Sequence, residues 1–366
     1  MEIKEQYPLL KINLESIRKN AHTMMNYCAN RGIDIAGVIK FSDGNIKIAR
    51  SYYEGGCKEI ASSRTIHLKH VRKEIPQAVT MLLRLPMMWE IPEVIKYCDI
   101  SLNSEKGTLI SLNKEAKKIG KTHNIILMLD VGDLREGLIN IEDLYNLAVF
   151  AEHELNYLNL LGIGTTFACF GSILPSHDNL ETLINAAKYI EKGIGRKLKI
   201  ISGGSSVNLT LLQNSGMPKG INHLRIGGTI ANPRNIRINR GVSIPGMEED
   251  TFILYSQLIE VGIKPSLPFG KTSLNWAGNK VEYIDCGLRK RAIAALGSQD
   301  VGDSIKLLPR DKGIKVIGCS SDHTILDLEE SDKDWKVGDI VSFNLSYLSL
   351  MYTFCTRHVK FEYIHS

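Results

Sequence analysis

Eight short apolar runs alternate with longer stretches of helical period over the first two thirds of this 366-residue chain. Leu109, Leu112, Ala116 and Ile119, between two of the runs, recur at steps of three and four, the period of a helix with one apolar face. The pattern predicts βαβ units around a parallel sheet. The runs are Ile33–Ile39, Glu59–Ser62, Ala78–Leu83, Asp99–Leu102, Asn124–Asp130, Leu158–Gly164, Leu198–Ser202 and His223–Gly227.

Eight parallel strands either close into a barrel or form a large open sheet. Closure removes the exposed sheet edges, so we predict a (β/α)8 TIM-like barrel. The sequence pattern changes after Gly227, because Ala231–Pro245 carries two prolines and three arginines without a clear helical period. The later runs lack helical period and read as strands. They are Phe252–Val261, Ile314–Ile317, Thr324–Leu328, Ile340–Phe343 and Tyr352–Phe361.

We therefore predict two domains. The barrel covers residues 1–235, although Met1 to Leu10 are expected to pack on the second domain. A mainly β domain covers residues 236–366.

Charge, cysteines and hydropathy limit the partners. The 45 basic and 40 acidic residues are spread along the chain, which argues against nucleic acid as a partner. No apolar run approaches membrane-spanning length, and Met1 to Leu10 contain no apolar signal region. Seven cysteines without a CxxC pair are typical of thiols in a reducing compartment. We expect a soluble cytoplasmic protein without a membrane partner.

Residues that follow barrel strands face the mouth where barrel enzymes place their active sites. Lys40 closes the first run, Ile35 to Ile39. Such a lysine is commonly a solvated strand end. The functional reading is a Schiff-base lysine, because a partly buried amine has a lowered pKa and attacks aldehydes.

Small residues follow the seventh and eighth runs, where barrels commonly bind phosphate. Ser202-Gly203-Gly204-Ser205-Ser206 let backbone N–H groups approach an anion, and Gly227-Gly228-Thr229 form a second such turn. Arg225 lies within the eighth run, where a cation is costly unless paired. Its partner is an anion or cofactor in the mouth, or a helix carboxylate outside the barrel.

The loop after the fifth run is glycine-punctuated and carries four charges, Asp130, Asp133, Arg135 and Glu136. It is either a solvated loop with surface ion pairs or a functional loop. In the functional reading, Arg135 binds a carboxylate or orients a neighbouring active-site group.

With these residues the chain resembles the alanine-racemase-like, fold type III enzymes that use pyridoxal 5′-phosphate (PLP). It is most similar to the ornithine racemase branch. Five phrases spread over nearly the whole chain carry this resemblance. They are Leu82 to Met87, Asp99 to Glu105, Asp130 to Gly137, Gly287 to Ile293 and Ser320 to His323.

The resemblance implies a role for each matched residue. Lys40 binds PLP covalently, and Arg225 donates to its pyridine nitrogen. The phosphate cup consists of Gly204, Ser205, Ser206, Gly227 and Gly228, with Tyr347 reaching the phosphate from the C-terminal domain. Alanine racemases carry a tyrosine after the lysine and a histidine after strand six, where this chain has Phe41 to Asn45 and Gly164 to Ala168.

The implied reaction is racemisation of an amino acid, which needs one acid/base group on each face of the α-carbon. Lys40 serves one face. Tyr283 of the partner subunit serves the other in a head-to-tail homodimer, its pKa lowered by Arg289 or Lys290. Ornithine is the first-choice substrate, with Arg135, Asp322 and Asp285 as candidate substrate residues.

Three alternatives stay open on the same scaffold. A PLP-dependent D-amino-acid aldolase or lyase that uses a metal would need a His/Cys/Asp cluster, for which His323, Cys319 and Asp322 are too sparse. We therefore expect no metal. A non-catalytic PLP-binding protein would resemble the barrel alone, and a barrel for sugar phosphates would lack PLP.

Overall fold

The computed structural model describes residues 6–364. The described chain divides into two compact units, one of residues 15–249 and one that combines residues 6–14 with residues 250–364. In the described chain the strands are β1 Leu9–Asn13, β2 Asp34–Val38, β3 Glu59–Ser62, β4 Val79–Leu82, β5 Ile100–Asn103, β6 His123–Met128, β7 Leu158–Gly164, β8 Ile200–Ser205, β9 His223–Ile226, β10 Phe252–Pro265, β11 Leu288–Ala294, β12 Leu308–Pro309, β13 Lys315–Cys319, β14 Thr324–Asp327, β15 Ile340–Asn344 and β16 Lys360–Ile364. The α-helices are α1 Leu14–Ala29, α2 Ile46–Glu54, α3 Thr65–Glu74, α4 Ile91–Tyr97, α5 Lys106–Ile119, α6 Ile141–Glu154, α7 His177–Ile194, α8 Leu209–Asn214, α9 Gly228–Ala231, α10 Pro233–Arg240, α11 Ser298–Val301 and α12 Tyr347–Cys355.

Strands β2 to β9 form a closed parallel barrel, which confirms the predicted (β/α)8 fold. The last strand pairs with the first, with Asp34 opposite His223 and Gly37 opposite Ile226. Small and branched side chains such as Ala36, Val38 and Ile126 pack inside the barrel. A larger cluster of buried apolar side chains packs the helices against the outer face of the barrel. Closure leaves no barrel edge exposed, as expected for strands that are buried on both faces.

Local sequence explains where the outer helices begin and end. Leu109, Leu112 and Ala116 form the buried face of α5, and Gly120 ends it in the left-handed conformation. Ser176 caps α7, accepting a hydrogen bond from the Asn179 N–H. Within the described residues, no helix is both long and apolar enough to span a membrane.

The C-terminal unit is built on an antiparallel sheet, which confirms the predicted mainly β domain. The strand order is β12-β15-β10-β11-β14-β13, and β1 pairs with both β10 and β16. The N-terminal strand Leu9–Asn13 thus belongs to this sheet. The barrel unit ends at Glu249 and includes α10, in the proline- and arginine-rich segment where the sequence shows no clear helical period.

Two predictions of local structure in the C-terminal unit are wrong. The run Tyr352–Phe361, predicted as one strand, is the end of α12 followed by β16. Ser346 caps α12, and the buried pair Leu350 and Phe354 gives it an apolar face. Strand Leu288–Ala294 is missed by the sequence pattern, because three consecutive basic residues hide its alternation.

Candidate active site

The barrel brings four predicted regions to its C-terminal mouth. Lys40 follows β2, Ser205 ends β8, Gly227 follows β9, and Arg135 lies in the loop that follows β6. Their charges interact, because the cations of Arg135 and Arg225 both lower the pKa of the Lys40 amine. The candidate residues of the barrel unit therefore lie together at one end of the barrel.

The Lys40 amine has a lowered pKa although the residue is accessible to solvent. Desolvation by the surrounding protein is the main cause, and the Arg135 cation contributes next. Cys169 and Glu136 oppose the shift. A lower pKa increases the neutral, nucleophilic fraction of an amine at neutral pH.

Arg225 is buried and held by neutral oxygens. Its Nη1 donates to Ser202 Oγ at 2.5 Å, and its Nη2 donates to the Thr165 carbonyl oxygen at 2.6 Å. The guanidinium makes no ion pair within residues 6–364, so a helix carboxylate outside the barrel is not its partner. Desolvation is the largest influence and lowers the pKa of Arg225 to about 10. A buried cation of this kind favours an electron-rich partner in the mouth.

A backbone bulge at the end of β8 shapes the glycine-rich cup. Gly204 has φ +116°, a conformation that residues with a side chain rarely adopt. The Asn208 side-chain amide donates to the carbonyl oxygens of Gly203 at 2.8 Å and Ser205 at 3.2 Å. Asn208, which the sequence pattern did not single out, therefore fixes the shape of this loop.

The second small-residue turn, Gly227-Gly228-Thr229, is held in place by contacts with α2 and β2. The hydroxyl of the fully buried Tyr52 donates to the Gly227 carbonyl oxygen at 2.8 Å. Gly227 also approaches β2 closely, since a Cβ at this position would lie 2.6 Å from the Val38 carbonyl oxygen. Tyr52 lies on α2 and was missed because nothing local connects it with Gly227.

The charged loop after β6 is organised by its own carboxylates. Asp130 accepts hydrogen bonds from the backbone N–H groups of Gly132, Leu134 and Arg135. Asp133 is fully buried and accepts from the N–H groups of Cys169 and Phe170 in the loop after β7. These backbone hydrogen bonds order the segment, so it is not merely a solvated loop with surface ion pairs.

Arg135 bridges the loops that follow β6 and β7. Its guanidinium donates to the neighbouring Glu136 carboxylate and, at 3.2 Å, to Thr166 Oγ1. Thr166 lies in the segment where alanine racemases place a histidine. An arginine and a threonine thus occupy this part of the mouth in the present chain.

A buried histidine supports the turn after Lys40. His67 Nδ1 lies 2.9 Å from Ser62 Oγ, and its Nε2 lies 3.1 Å from Asp43 Oδ1. Asp43 adopts the left-handed conformation with φ 48°. Burial lowers the pKa of His67, and the Asp43 carboxylate opposes that shift. Sequence reasoning missed His67 because it lies on α3, away from any strand end.

Four further candidates lie in the C-terminal unit. Tyr283 is exposed, and Asp285 Oδ1 accepts from Ser266 Oγ at 3.1 Å and from the Gly287 N–H at 2.9 Å. Asp322 accepts a hydrogen bond from the adjacent Ser321 hydroxyl. Tyr347 is the first residue of α12.

Arg289 and Lys290, expected to act on Tyr283, are already paired with carboxylates. Arg289 donates two hydrogen bonds to Asp327, at 2.9 and 3.0 Å, and Lys290 contacts Asp334 at 2.9 Å. Their charges are therefore largely compensated by partners other than a tyrosine. Within residues 6–364, no group of three His, Cys, Asp or Glu side chains is arranged to hold a metal ion.

The described chain thus combines a (β/α)8 barrel, with a lysine after its first strand and an arginine on its last, with an added β unit. Residues 12–231 match the family model described as "Alanine racemase, N-terminal domain". The chain belongs to this family, which confirms the resemblance inferred from its motifs.

Relatives of similar length carry the likeness over both units. The chain is 38% identical to an ornithine racemase of Acetoanaerobium sticklandii, over 97% of this chain and 99% of that protein. It is 38% identical to a lysine racemase of Thermotoga maritima, over 98% of each chain.

Solved structures share the fold at low identity. An alanine racemase from Streptomyces lavendulae superposes with a TM-score of 0.76 at 18% identity, covering 98% of this chain and 97% of that one. A D-threonine aldolase from Filomicrobium marinum gives 0.70 at 13% identity, covering 95% and 89%.

Proposed function

We propose that this protein is a PLP-dependent racemase of a basic amino acid. The observation that carries the proposal is the convergence of Lys40, Arg225 and the glycine-rich cup at one barrel mouth. The family match and the two full-length relatives named as racemases support the reaction type. When bound, PLP supplies an electron sink that stabilises negative charge at the substrate α-carbon.

The residues of the mouth fit this cofactor. Arg225 is a buried cation held by neutral oxygens, suited to an electron-rich ring nitrogen that accepts a hydrogen bond. The backbone around Gly204, Ser205 and Ser206, with Gly227 and Gly228, offers a compact surface without bulky side chains to a phosphate. Tyr347 is proposed to reach the same phosphate. Lys40, with its lowered pKa, is the covalent attachment point.

Lys40 and Tyr283 of the partner subunit are proposed as the two acid/base groups. Each would hold or return the α-proton on one face of the substrate. The segment that carries Tyr283 exposes large apolar side chains, including Phe269 at 91% and Ile284 at 82%. Exposed apolar surface of this kind supports a covering second copy in a head-to-tail homodimer.

Substrate recognition is proposed to use charges of both signs. Arg135 would bind the α-carboxylate from the barrel mouth. Asp322 or Asp285 of the partner subunit would receive the cationic side chain, since each carboxylate already accepts hydrogen bonds. The relatives named for ornithine and lysine support a basic substrate.

Covalent cofactor attachment is the first test. Purified protein with PLP should absorb at roughly 420 nm. Borohydride reduction and peptide mapping should then label Lys40, and Lys40→Ala should lose the label. Label on another lysine would overturn the site assignment. Ser205→Ala should weaken PLP binding by about ten- to a hundredfold, because a hydrogen bond to a charged group contributes about 1.5–3 kcal/mol. Gly203→Val should also weaken PLP binding, because a Cβ at Gly203 would lie 2.8 Å from Ile221 Cγ2 and crowd the loop.

Turnover separates racemisation from its rivals. Loss of optical rotation should be followed in parallel for L-ornithine, L-lysine, L-alanine and L-serine, with aldehyde release from D-threonine as the aldolase assay. Asp322→Asn and Asp285→Asn should reduce kcat/KM for the basic substrates more than for alanine. A higher kcat/KM for alanine or serine would refute the basic-substrate proposal, and aldehyde release without racemisation would refute the reaction type.

Subunit mixing tests the shared active site. Lys40→Ala and Tyr283→Phe homodimers should both be inactive. A one-to-one mixture that exchanges subunits should regain about a quarter of wild-type activity, because half the dimers are mixed and each has one complete site. Complete absence of recovery in demonstrated heterodimers would contradict the contribution of Tyr283 in trans.

A further inference from the structure

A line of buried polar side chains runs from Arg225 toward the N-terminal end of the barrel. Ser202 Oγ, which accepts from Arg225, also lies 2.9 Å from His223 Nδ1. On the other side of the ring, His223 Nε2 lies 3.3 Å from Glu59 Oε2. Ser202 and His223 are 0% and 2% exposed. The line connects β8, β9 and β3 within the barrel unit.

The donor and acceptor inventory fixes the direction of the first hydrogen bond. A guanidinium only donates, so Ser202 Oγ accepts from Arg225. The Ser202 hydroxyl hydrogen is then available to His223 Nδ1, and in that arrangement the ring carries its hydrogen on Nε2, facing Glu59. Neither His223 Nε2 nor Glu59 Oε2 makes a hydrogen bond in the described chain, and the two atoms meet as a 3.3 Å contact. The link between His223 and Glu59 is therefore a polar contact rather than a formed hydrogen bond.

We propose that Ser202, His223 and Glu59 form a positioning relay that fixes the Arg225 guanidinium toward the pyridine nitrogen of the cofactor. The proposal rests on the proposed function, because it assigns these residues to the same site. Glu59 supplies the only carboxylate of the line, and it is separated from Arg225 by His223 and Ser202. Arg225 is thus oriented without a bonded anion that would compete with the cofactor for its charge.

The barrel contains a matched pair that serves as a control. Ser101 Oγ lies 2.8 Å from His123 Nε2, and both residues are completely buried. His123 is the first residue of β6, just as His223 is the first residue of β9. Within residues 6–364, the Ser101 side chain also contacts Asn103 but no arginine. Replacing either histidine removes a buried Ser–His contact, but only His223 leads to Arg225.

The test compares Glu59→Gln, His223→Phe and His123→Phe with the wild-type protein. PLP affinity of the apoprotein, the absorption spectrum of bound PLP, and KM and kcat are measured beside urea unfolding. We expect the two histidine variants to lose similar stability. His223→Phe should weaken PLP binding about five- to tenfold more than His123→Phe, the size of one hydrogen bond. It should also shift the absorption maximum and lower kcat rather than raise KM. Glu59→Gln, whose side chain is 24% exposed, should shift the spectrum in the same direction even if His223→Phe folds poorly.

Each outcome decides the proposal. Spectra and affinities of Glu59→Gln and His223→Phe that match those of His123→Phe would overturn the relay and leave the proposed function intact. Failure of the wild-type protein to bind PLP would overturn both. A spectral shift restricted to Glu59→Gln and His223→Phe would support the relay, because general destabilisation of the barrel would also affect His123→Phe.

Discussion

The contact between Gly227 and the first barrel strand predicts the effect of a single methyl group. In Gly227→Ala, the new Cβ would lie 2.6 Å from the Val38 carbonyl oxygen and 2.9 Å from Val38 Cβ. The oxygen would have to retreat by roughly 0.9 Å to reach an ordinary separation of about 3.5 Å. Both crowded atoms belong to the end of β2, two residues before Lys40. Relief therefore requires the backbone of β2 or of the Gly227 turn to move.

The cost can be estimated from packing data on other cores. Adding a methyl group to a closely packed site costs about 1–3 kcal/mol. Moving Gly227 also weakens the 2.8 Å hydrogen bond that its carbonyl oxygen accepts from Tyr52. We expect the free energy of unfolding to fall by about 1–3 kcal/mol. PLP affinity should fall by about tenfold, which corresponds to about 1.4 kcal/mol.

Gly107→Ala is the matched control. Gly107 lies in the first turn of α5, and a Cβ there would meet no atom within 4 Å. Alanine should leave PLP affinity unchanged and raise stability by about 0.4–1 kcal/mol, because it restricts the unfolded chain. Urea unfolding of the apoprotein and PLP titration measure both quantities. If Gly227→Ala matched the wild-type protein in both, the close approach of the two strand ends would not constrain the cup and the reasoning would be refuted.

Three further predictions concern charge and burial. Glu90→Gln should lower the free energy of unfolding by about 1–3 kcal/mol, because this carboxylate is 1% exposed and accepts a hydrogen bond from Arg84. Glu115→Gln, at a surface ion pair, should change the free energy of unfolding by less than about 0.5 kcal/mol. Arg135→Gln should raise the pKa of Lys40 by removing a nearby cation, so the pH profile of Lys40 acetylation in the apoprotein should move to higher pH, and an unchanged profile would contradict the assignment. Burial raises the pKa of the Cys28, Cys57 and Cys98 thiols to about 12. Native protein treated with iodoacetamide at about pH 8 should therefore react first at the exposed Cys169, Cys286 and Cys355, as mass spectrometry would show.

The barrel and the position of its mouth were predictable because their signals are local. Short apolar runs spaced by helical stretches require a parallel arrangement, and a barrel brings every strand end to one face. Lys40, Arg225 and the glycine-rich turns could therefore be assigned to one mouth from their positions after or within the runs. Their chemistry, an amine, a buried cation and small residues, is also readable from residue type.

The sequence pattern was less informative in the C-terminal unit. Strand Leu288–Ala294 reads as a basic surface segment, since its charges find partners only in the folded chain, where Arg289 meets Asp327. The sequence predicts that the N-terminal residues pack on the second domain, but not that strand Leu9–Asn13 pairs with Phe252–Pro265 and Lys360–Ile364, which are distant in sequence. Non-local pairing of this kind leaves no periodic signal near the residues concerned.

The sequence by itself therefore determined the fold class and the candidate residues for the chemistry. Only the tertiary structure decided how those residues are held. Tyr52 reaches Gly227 from α2, Asn208 fixes the Gly203 to Ser205 loop, and Glu59 faces His223 from another strand. The physical reason is that reactivity follows from the type of a residue, whereas orientation depends on hydrogen bonds between elements that only barrel closure brings together.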